Sequence, residues 1–351
     1  MLKTDILNRF RYKSINTVKH MKNLVYPHAT ILMYHRVAQL DSDPWSLAVT
    51  PKHFAEHLEI ISKHGNPLSL QELTIRLNNN KSVKKAIIIT FDDGYADNLC
   101  NAKPLLEKYD IPATIFVVTS KIDSKNEFWW DELDRLILQS DNLPDHLQLD
   151  IQGKKHRWEI EEALKFHLAG NHRNINYKFD EKQLEYPHWR YALYQDIYQL
   201  LRPLPAQDRL QLINELRAWT NTNYESRNNY RCLTSEELIK MDQSTLIDIG
   251  AHTVSHAFLP ELPIALQEEE IQQCKNYLEN LLGRSVNSFA YPHGDYTADT
   301  ISIVKKAGFE CACSCNHKRV KQNSCLFALP RINVTDCNGE EFARLLSFIE
   351  Q

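Results

Sequence analysis

KAIIITFDDGY, residues 85–95, sets the frame for the whole chain. Its apolar run through Ile87, Ile88 and Ile89 stops at two adjacent carboxylates, Asp92 and Asp93, followed by Gly94. Unbroken apolarity of this length marks a strand buried on both faces, as in a parallel sheet covered by helices. Carboxylates at the end of such a strand are costly to bury unless a cation lies beside them. Gly94 lets the chain turn at once. Adjacent side chains at a strand end diverge, so one Asp can face a metal while the other faces a water held there. A turn whose carboxylates cap a following helix reads equally well from these residues alone.

Further strands of the same kind flank this one: ATILMYHRV (29–37), IPATIFVVTS (111–120), LIDIGAHTVSH (246–256), SFAYPHG (288–294) and LFALPRINV (326–334). Helical patterns lie between them. SLQELTIRL (69–77) is one, TSEELIKM (234–241) opens with a capping box, and 262–283 closes at Gly283. This alternation predicts a parallel α/β architecture whose reactive residues gather where the strands end. Residues 121–231 break the rhythm with helical stretches such as DRLQLINELRAW, and are read as a largely helical insert. The predicted organisation is a basic N-terminal segment (1–25), a first barrel part (26–120), the insert (121–231) and a second barrel part (232–351).

The 351 residues are 43% hydrophobic and 25% charged, the balance of an ordinary globular protein. A net charge of -4 gives no broad cationic face for nucleic acid. No apolar run reaches the roughly 20 residues that span a bilayer. The N-terminus lacks the apolar core of an export signal, so a cytoplasmic location with eight reduced cysteines is expected. Cys311, Cys313 and Cys315 alternate, which predicts a buried strand face. Residues 1–25 place Leu2, Ile6 and Phe10 among Lys3, Arg9 and Arg11. Such a segment suits either peripheral contact with the inner membrane face or a helix packed on the domain.

HTVSH brings His252 and His256 to the end of another strand. Imidazoles four residues apart can converge on one metal, and histidine is a favoured zinc ligand. The spacing is common by chance, but joined to a strand-end Asp pair in an alternating chain it is much stronger evidence for a metal site.

Together these stretches resemble the polysaccharide deacetylase family, the NodB-homology or carbohydrate esterase family 4 group. TFDDGY matches its first motif residue for residue, HTVSH its second, and FAYPHG sits where its third, a Pro-Tyr-Gly type loop, belongs. MYHRV (33–37) and LPRI (329–332) look like a sub-group of these enzymes. The resemblance covers about 26–120 and 232–335. It implies a distorted (β/α) barrel holding one divalent metal ion, usually zinc, on Asp93, His252 and His256, with Asp92 as catalytic base. Three protein ligands leave a position for water, which Asp92 would deprotonate as it attacks the acyl carbon. The Tyr291, Pro292, His293 and Gly294 loop would contact substrate and supply a backbone N–H to the oxyanion. The implied reaction removes an N-acetyl group from an amino sugar of a glycan, or of its lipid- or nucleotide-linked precursor. A deformylase or non-sugar amidase on the same scaffold, and a catalytically silent glycan-binding protein, are the alternatives.

Two departures from the pattern matter. Ala290 stands where many members carry an arginine that pairs with the catalytic aspartate, so Arg331 is the candidate cation. No histidine follows Arg331, where members carry a late histidine that protonates the leaving amine. His35 is the first candidate for that acid, then His293, then His317. Trp129 and Trp130 open the insert and either stack on a sugar ring or anchor the insert.

Overall fold

The computed structural model describes residues 28–140, 143–160, 188–222 and 226–350. The predicted basic segment, 1–25, lies outside them. The described residues form two compact units: one from the stretches up to Asp123 and from Cys232 onward, the other Ser124–Arg231.

The first unit begins with β1 (His28–Tyr34), which stops one residue before His35. Beyond it, β2 (Arg36–Val37) pairs with β3 (Ala48–Val49). After the helix Pro51–His64 come β4 (Asn66–Pro67) and the helix Leu70–Asn78, capped by Ser69. β5 (Ala86–Phe91) is the strand predicted from KAIIITFDDGY, and all six of its residues are buried. β6 (Ala113–Val117) follows the helix Lys103–Tyr109.

The second unit holds β7 (His146–Ile151), β8 (Lys154–Glu159) and the helices Trp129–Ile137, His188–Leu201 and Ala206–Thr220. The β7–β8 hairpin departs from the predicted largely helical insert. It turns on Gln152 (φ 52°) and Gly153 (φ 79°), and Leu147, Leu149 and Ile151 alternate inward along β7. That period of two is short and flanked by charged residues, which hid it beside the stronger helical patterns.

The chain returns to the first unit with the helix Ser235–Asp242, which realises the predicted capping box through Thr234 and Glu237. β9 (Ile247–Ala251), the helix Ile264–Leu282, β10 (Ser288–Ala290), the helix Ala298–Lys306 and β11 (Cys311–Cys313) follow. β12 (Val320–Lys321), β13 (Ile332–Asn333) and the helix Gly339–Glu350 complete it. The order β11-β10-β9-β6-β5-β1-β12 makes one curled sheet, parallel from β11 to β1, with β12 antiparallel at its edge.

A short segment closes the seam. Ile332 pairs with Leu32 of β1, and Leu329 bridges to Cys313 of β11. The result is a distorted (β/α) barrel, with Arg331 in the closing segment. Cys311 and Cys313 are buried in β11, as predicted, whereas Cys315 lies beyond the strand and is half-buried. Gly250 leaves room for the Phe116 ring, which a Cβ would meet at 2.4 Å.

Candidate active site

The strand ends deliver the polar residues by continuing the ladder one residue past each strand. Asp92 N–H donates to Tyr34 O at 3.0 Å, and His252 N–H to Val117 O at 3.0 Å. Gly94 N–H then bonds back to Asp92 O at 3.0 Å across Asp93, whose φ is 74°. That is a γ-turn of the rare positive-φ kind, and it carries backbone strain. Thr253 (66°), His256 (54°) and His293 (59°) also have positive φ. Each of the three loops that carry the predicted motifs therefore holds at least one strained residue.

Asp93, His252 and His256 converge. Their ligand atoms lie within 4.8 Å of one another, and all three residues are buried. Asp93 Oδ1 is 3.6 Å from His252 Nε2 and 3.3 Å from His256 Nε2. His252 Nδ1 lies 2.8 Å from Ala290 O, and a carbonyl can only accept, so Nδ1 carries the proton. Burial, first among the influences, lowers the His252 pKa, although Asp92 opposes it. A neutral imidazole then aims the lone pair of Nε2 at a carboxylate oxygen. Lone pair facing lone pair is repulsive, and a divalent cation between them removes the conflict. The donor set, one carboxylate and two imidazoles, fits such an ion and leaves its remaining position open.

Asp92 turns the other way. Arg331 grips it with both arms, Nη1 to Oδ1 and Nη2 to Oδ2 at 2.7 Å each. Neither side chain is more than a few per cent exposed. Arg331 fills its remaining donors with Ser314 O at 3.1 Å, Thr90 Oγ1 at 3.2 Å and Cys315 Sγ at 3.8 Å. Burial pushes the Asp92 carboxyl up, but Arg331, with His252 and His35, outweighs it and holds the pKa at about 2. Each carboxylate oxygen keeps a further lone pair beyond the guanidinium bonds.

His35 lies within the electrostatic reach of Asp92, Arg331 and His252, and burial lowers its pKa to about 4. Its segment is pinned from Asp97 and Asn98. Asn98 Nδ2 donates to His35 O at 2.9 Å, Val37 N–H to Asp97 Oδ1 at 2.9 Å, and Arg36 Nε to Asp97 Oδ2 at 3.0 Å. The sequence reading passed over Asp97 and Asn98. Side-chain carboxylate and amide just after a DDGY turn are ordinary helix-start residues, and nothing local says that they reach back to His35 and β2.

The FAYPHG loop divides. The His293 ring stands edge-on to His256, centroids 4.8 Å apart, and near Phe258 at 5.6 Å. Tyr291 does not face the site. Its side chain is fully buried, its hydroxyl donates to Phe327 O at 2.9 Å, and its N–H donates to Cys313 O at 3.1 Å. The apolar setting that receives its ring explains the correction. Pro292 is buried with no N–H to give, and Gly294 N–H closes a turn onto Tyr291 O at 2.8 Å. Gly294 is required by packing, since a Cβ there would lie 2.5 Å from Cys315 N. His317 is exposed on the loop after β11. Trp129 packs within its own unit, stacked on Tyr198 at 4.8 Å with the Arg209 guanidinium 5.5 Å from its ring.

A family model described as polysaccharide deacetylase matches residues 79–145 and 214–312. These segments contain Asp92, Asp93, His252, His256 and His293, but neither His35 nor Arg331. YxkH of Bacillus subtilis, itself a candidate polysaccharide deacetylase, is 32% identical over 126 residues, 34% of this chain. The chain spans only 44% of that relative's length. The poly-beta-1,6-N-acetyl-D-glucosamine N-deacetylase of Staphylococcus aureus (strain N315) is 22% identical over 322 residues, 88% of this chain and 79% of that one. Among solved structures, the Streptococcus pyogenes deacetylase PplD in complex with acetate aligns with a TM-score of 0.57 at 19% identity, covering 93% of this chain and all of that one. IcaB from Ammonifex degensii aligns with a TM-score of 0.55 at 16% identity, over 93% and 98% of the two chains. These structural likenesses establish the fold.

Proposed function

The chain carries a domain of the polysaccharide deacetylase family, and on that premise we propose that it is a metal-dependent hydrolase that removes N-acetyl groups from an amino sugar of a glycan or of a lipid- or nucleotide-linked glycan precursor. The observation that carries this reading is the division of labour between neighbours. Asp93 turns toward His252 and His256, while Asp92 is held ionised by Arg331. The polymer named for the Staphylococcus aureus relative supports the choice of substrate class.

Asp93, His252 and His256 would hold the divalent ion, zinc by the nature of the donors. When bound, the ion supplies a Lewis acid that polarises the acyl carbonyl and lowers the pKa of water. Asp92 accepts the proton of the attacking water through a lone pair that Arg331 does not use. With a pKa of about 2 it is ionised throughout the neutral range. The fork from Arg331 fixes the carboxylate's plane, so the accepting oxygen is preorganised.

His35 at about 4 is neutral at pH 7, with roughly one molecule in a thousand protonated. It therefore serves as a neutral donor to the substrate. As the acid for the leaving amine, it would relay to the amine nitrogen the proton that Asp92 takes from the water, so that Asp92 is ionised again as the C–N bond breaks. A catalytically silent glycan-binding protein is the second reading, favoured by the lack of any histidine after Arg331. A cytoplasmic setting at the inner membrane face would suit a lipid-linked precursor. The deciding assay measures acetate release from N-acetylglucosamine oligomers with added zinc or cobalt. Release by the wild type, reduced at least about 100-fold by Asp92→Asn with zinc still bound, supports the enzyme. Oligomer binding without release under any metal refutes it.

A further inference from the structure

The loop between the two imidazoles is built in a conformation that its own residues resist. Thr253, a β-branched residue, has φ 66°, and His256 has φ 54°. Such a loop persists only where its surroundings hold it. One side is tied to the chain after β6, since Thr119 N–H donates to Thr253 O at 3.2 Å and Ser120 N–H to Val254 O at 2.9 Å. The other side is tied by the Glu270 side chain, in the helix Ile264–Leu282.

Glu270 Oε2 accepts from the N–H of Val254 at 2.9 Å and from that of Ser255 at 2.8 Å. Glu270 Oε1 accepts from Ser255 Oγ at 2.6 Å. Three donors within two residues thus converge on one carboxylate, midway between His252 and His256. Glu268 and Glu269, its neighbours on the same helix, are exposed.

We propose that Glu270 is the positioning residue of the metal centre: by clamping Val254 and Ser255 it sets the approach of His256 to His252 and Asp93, and thereby the affinity for the ion. This rests on the proposed role of those three residues as ligands. The bonds of the carboxylate run to Val254 and Ser255, between the two imidazoles. It acts through two peptide N–H groups and one hydroxyl, and removing it frees a strained loop to relax, with the His256 ring swinging off the shared point. Residues that orient ligands in this way change metal affinity by about 10- to 100-fold when removed.

The test is competitive titration of zinc against a chromophoric chelator, with thermal unfolding of each metal-free protein alongside. Glu270→Ala should weaken zinc binding about 10- to 100-fold. Glu270→Gln, whose amide oxygen can still accept from both N–H groups while its NH2 donates to Ser255 Oγ, should recover most of the affinity. Ser255→Ala, which removes one of the three bonds and keeps the helix intact, should weaken it by roughly two- to fivefold. This variant and Glu270→Gln carry the test if Glu270→Ala does not fold. A lower unfolding temperature for Glu270→Ala with unchanged zinc affinity overturns the positioning role and leaves the ligand assignment standing. Wild-type protein that binds no zinc overturns both.

Discussion

Replacing Arg331 with methionine removes the guanidinium from a site where Asp92 has no other side-chain cation within bonding distance among the described residues. The two groups are buried to within a few per cent. Breaking a buried pair from one side costs about 3–5 kcal/mol, because the remaining charge is stranded in low dielectric. Loss of the bonds to Ser314 and Thr90 adds to the structural cost. Arg331→Met should therefore destabilise metal-free protein by about 3–5 kcal/mol at pH 7, read as the urea midpoint at constant slope.

The pH dependence supplies the sharper check. In the wild type the Asp92 pKa is depressed to about 2, below its unfolded value, so its contribution is present at neutral pH and is lost as pH falls through the folded pKa. That contribution is roughly 2–3 kcal/mol. Without Arg331, burial becomes the dominant influence and moves the folded pKa upward, above the unfolded value. Asp92 then weakens the fold at neutral pH and ceases to do so once protonated. The gap between the two proteins should narrow from pH 7 to pH 4. Adding Asp92→Asn to Arg331→Met should return part of the lost stability, since no stranded charge remains. A loss under about 1 kcal/mol at pH 7, or one constant over that range, would refute the assignment of Arg331 as the partner that keeps Asp92 ionised.

Two further outcomes test the frame around the site. His57 is buried between Tyr34 Oη at 3.2 Å and Cys337 O at 2.7 Å, and burial lowers its pKa to about 4. Its unfolded form binds protons first, so stability should fall by up to about 3 kcal/mol as pH drops from about 6.5 to about 4. A His57→Asn variant should show a flatter urea-midpoint profile over that window, and identical slopes would exclude His57 as the source. Gly294→Ala meets Cys315 backbone and a positive φ together, whereas Gly308→Ala meets the φ alone with nothing within 4 Å. Gly308→Ala should cost about 1 kcal/mol and Gly294→Ala about 2 kcal/mol more by thermal unfolding. Equal costs would mean that the close approach to Cys315 is not what Gly294 provides.

The strands were legible because each is an unbroken apolar run cut off by polar residues: AIIITF became β5 and ATIFV became β6 almost as written. His35 shows the limit of that signal. The reading ran the first strand through to Val37, but β1 ends at Tyr34 and the ladder resumes as β2 beside β3. Apolarity does not record a change of partner. The pairing of Arg331 with Asp92 was inferable because burial of a carboxylate demands a cation and the usual position held Ala290. Tyr291 was assigned to the substrate because it lies in a motif loop. Only the packing around Phe289 and Tyr296, with ring centroids 5.2 and 5.0 Å away, turns it inward. Glu270 carried no signal at all, standing third in a run of Glu residues whose partners lie 15 and 16 positions away.

These particulars bear on how the candidate site keeps its shape. Asp93, Thr253, His256 and His293 each hold a backbone conformation that costs about 1–3 kcal/mol. None is relieved by a glycine at its own position: in the proposed function Asp93 and His256 carry ligand side chains, and His293 stands against His256. The opposing terms come from outside the loops. Ladder bonds run past the ends of β5 and β9, Leu233 N–H holds Gly94 O at 3.0 Å, and Glu270 and residues 119–120 grip the HTVSH loop from two sides. The barrel contributes the rigid frame, and the buried Arg331–Asp92 pair ties the closing segment to the β5 end. Under the proposed ligand roles, the strain needed to point Asp93, His252 and His256 at one place is carried by these contacts and by the fold.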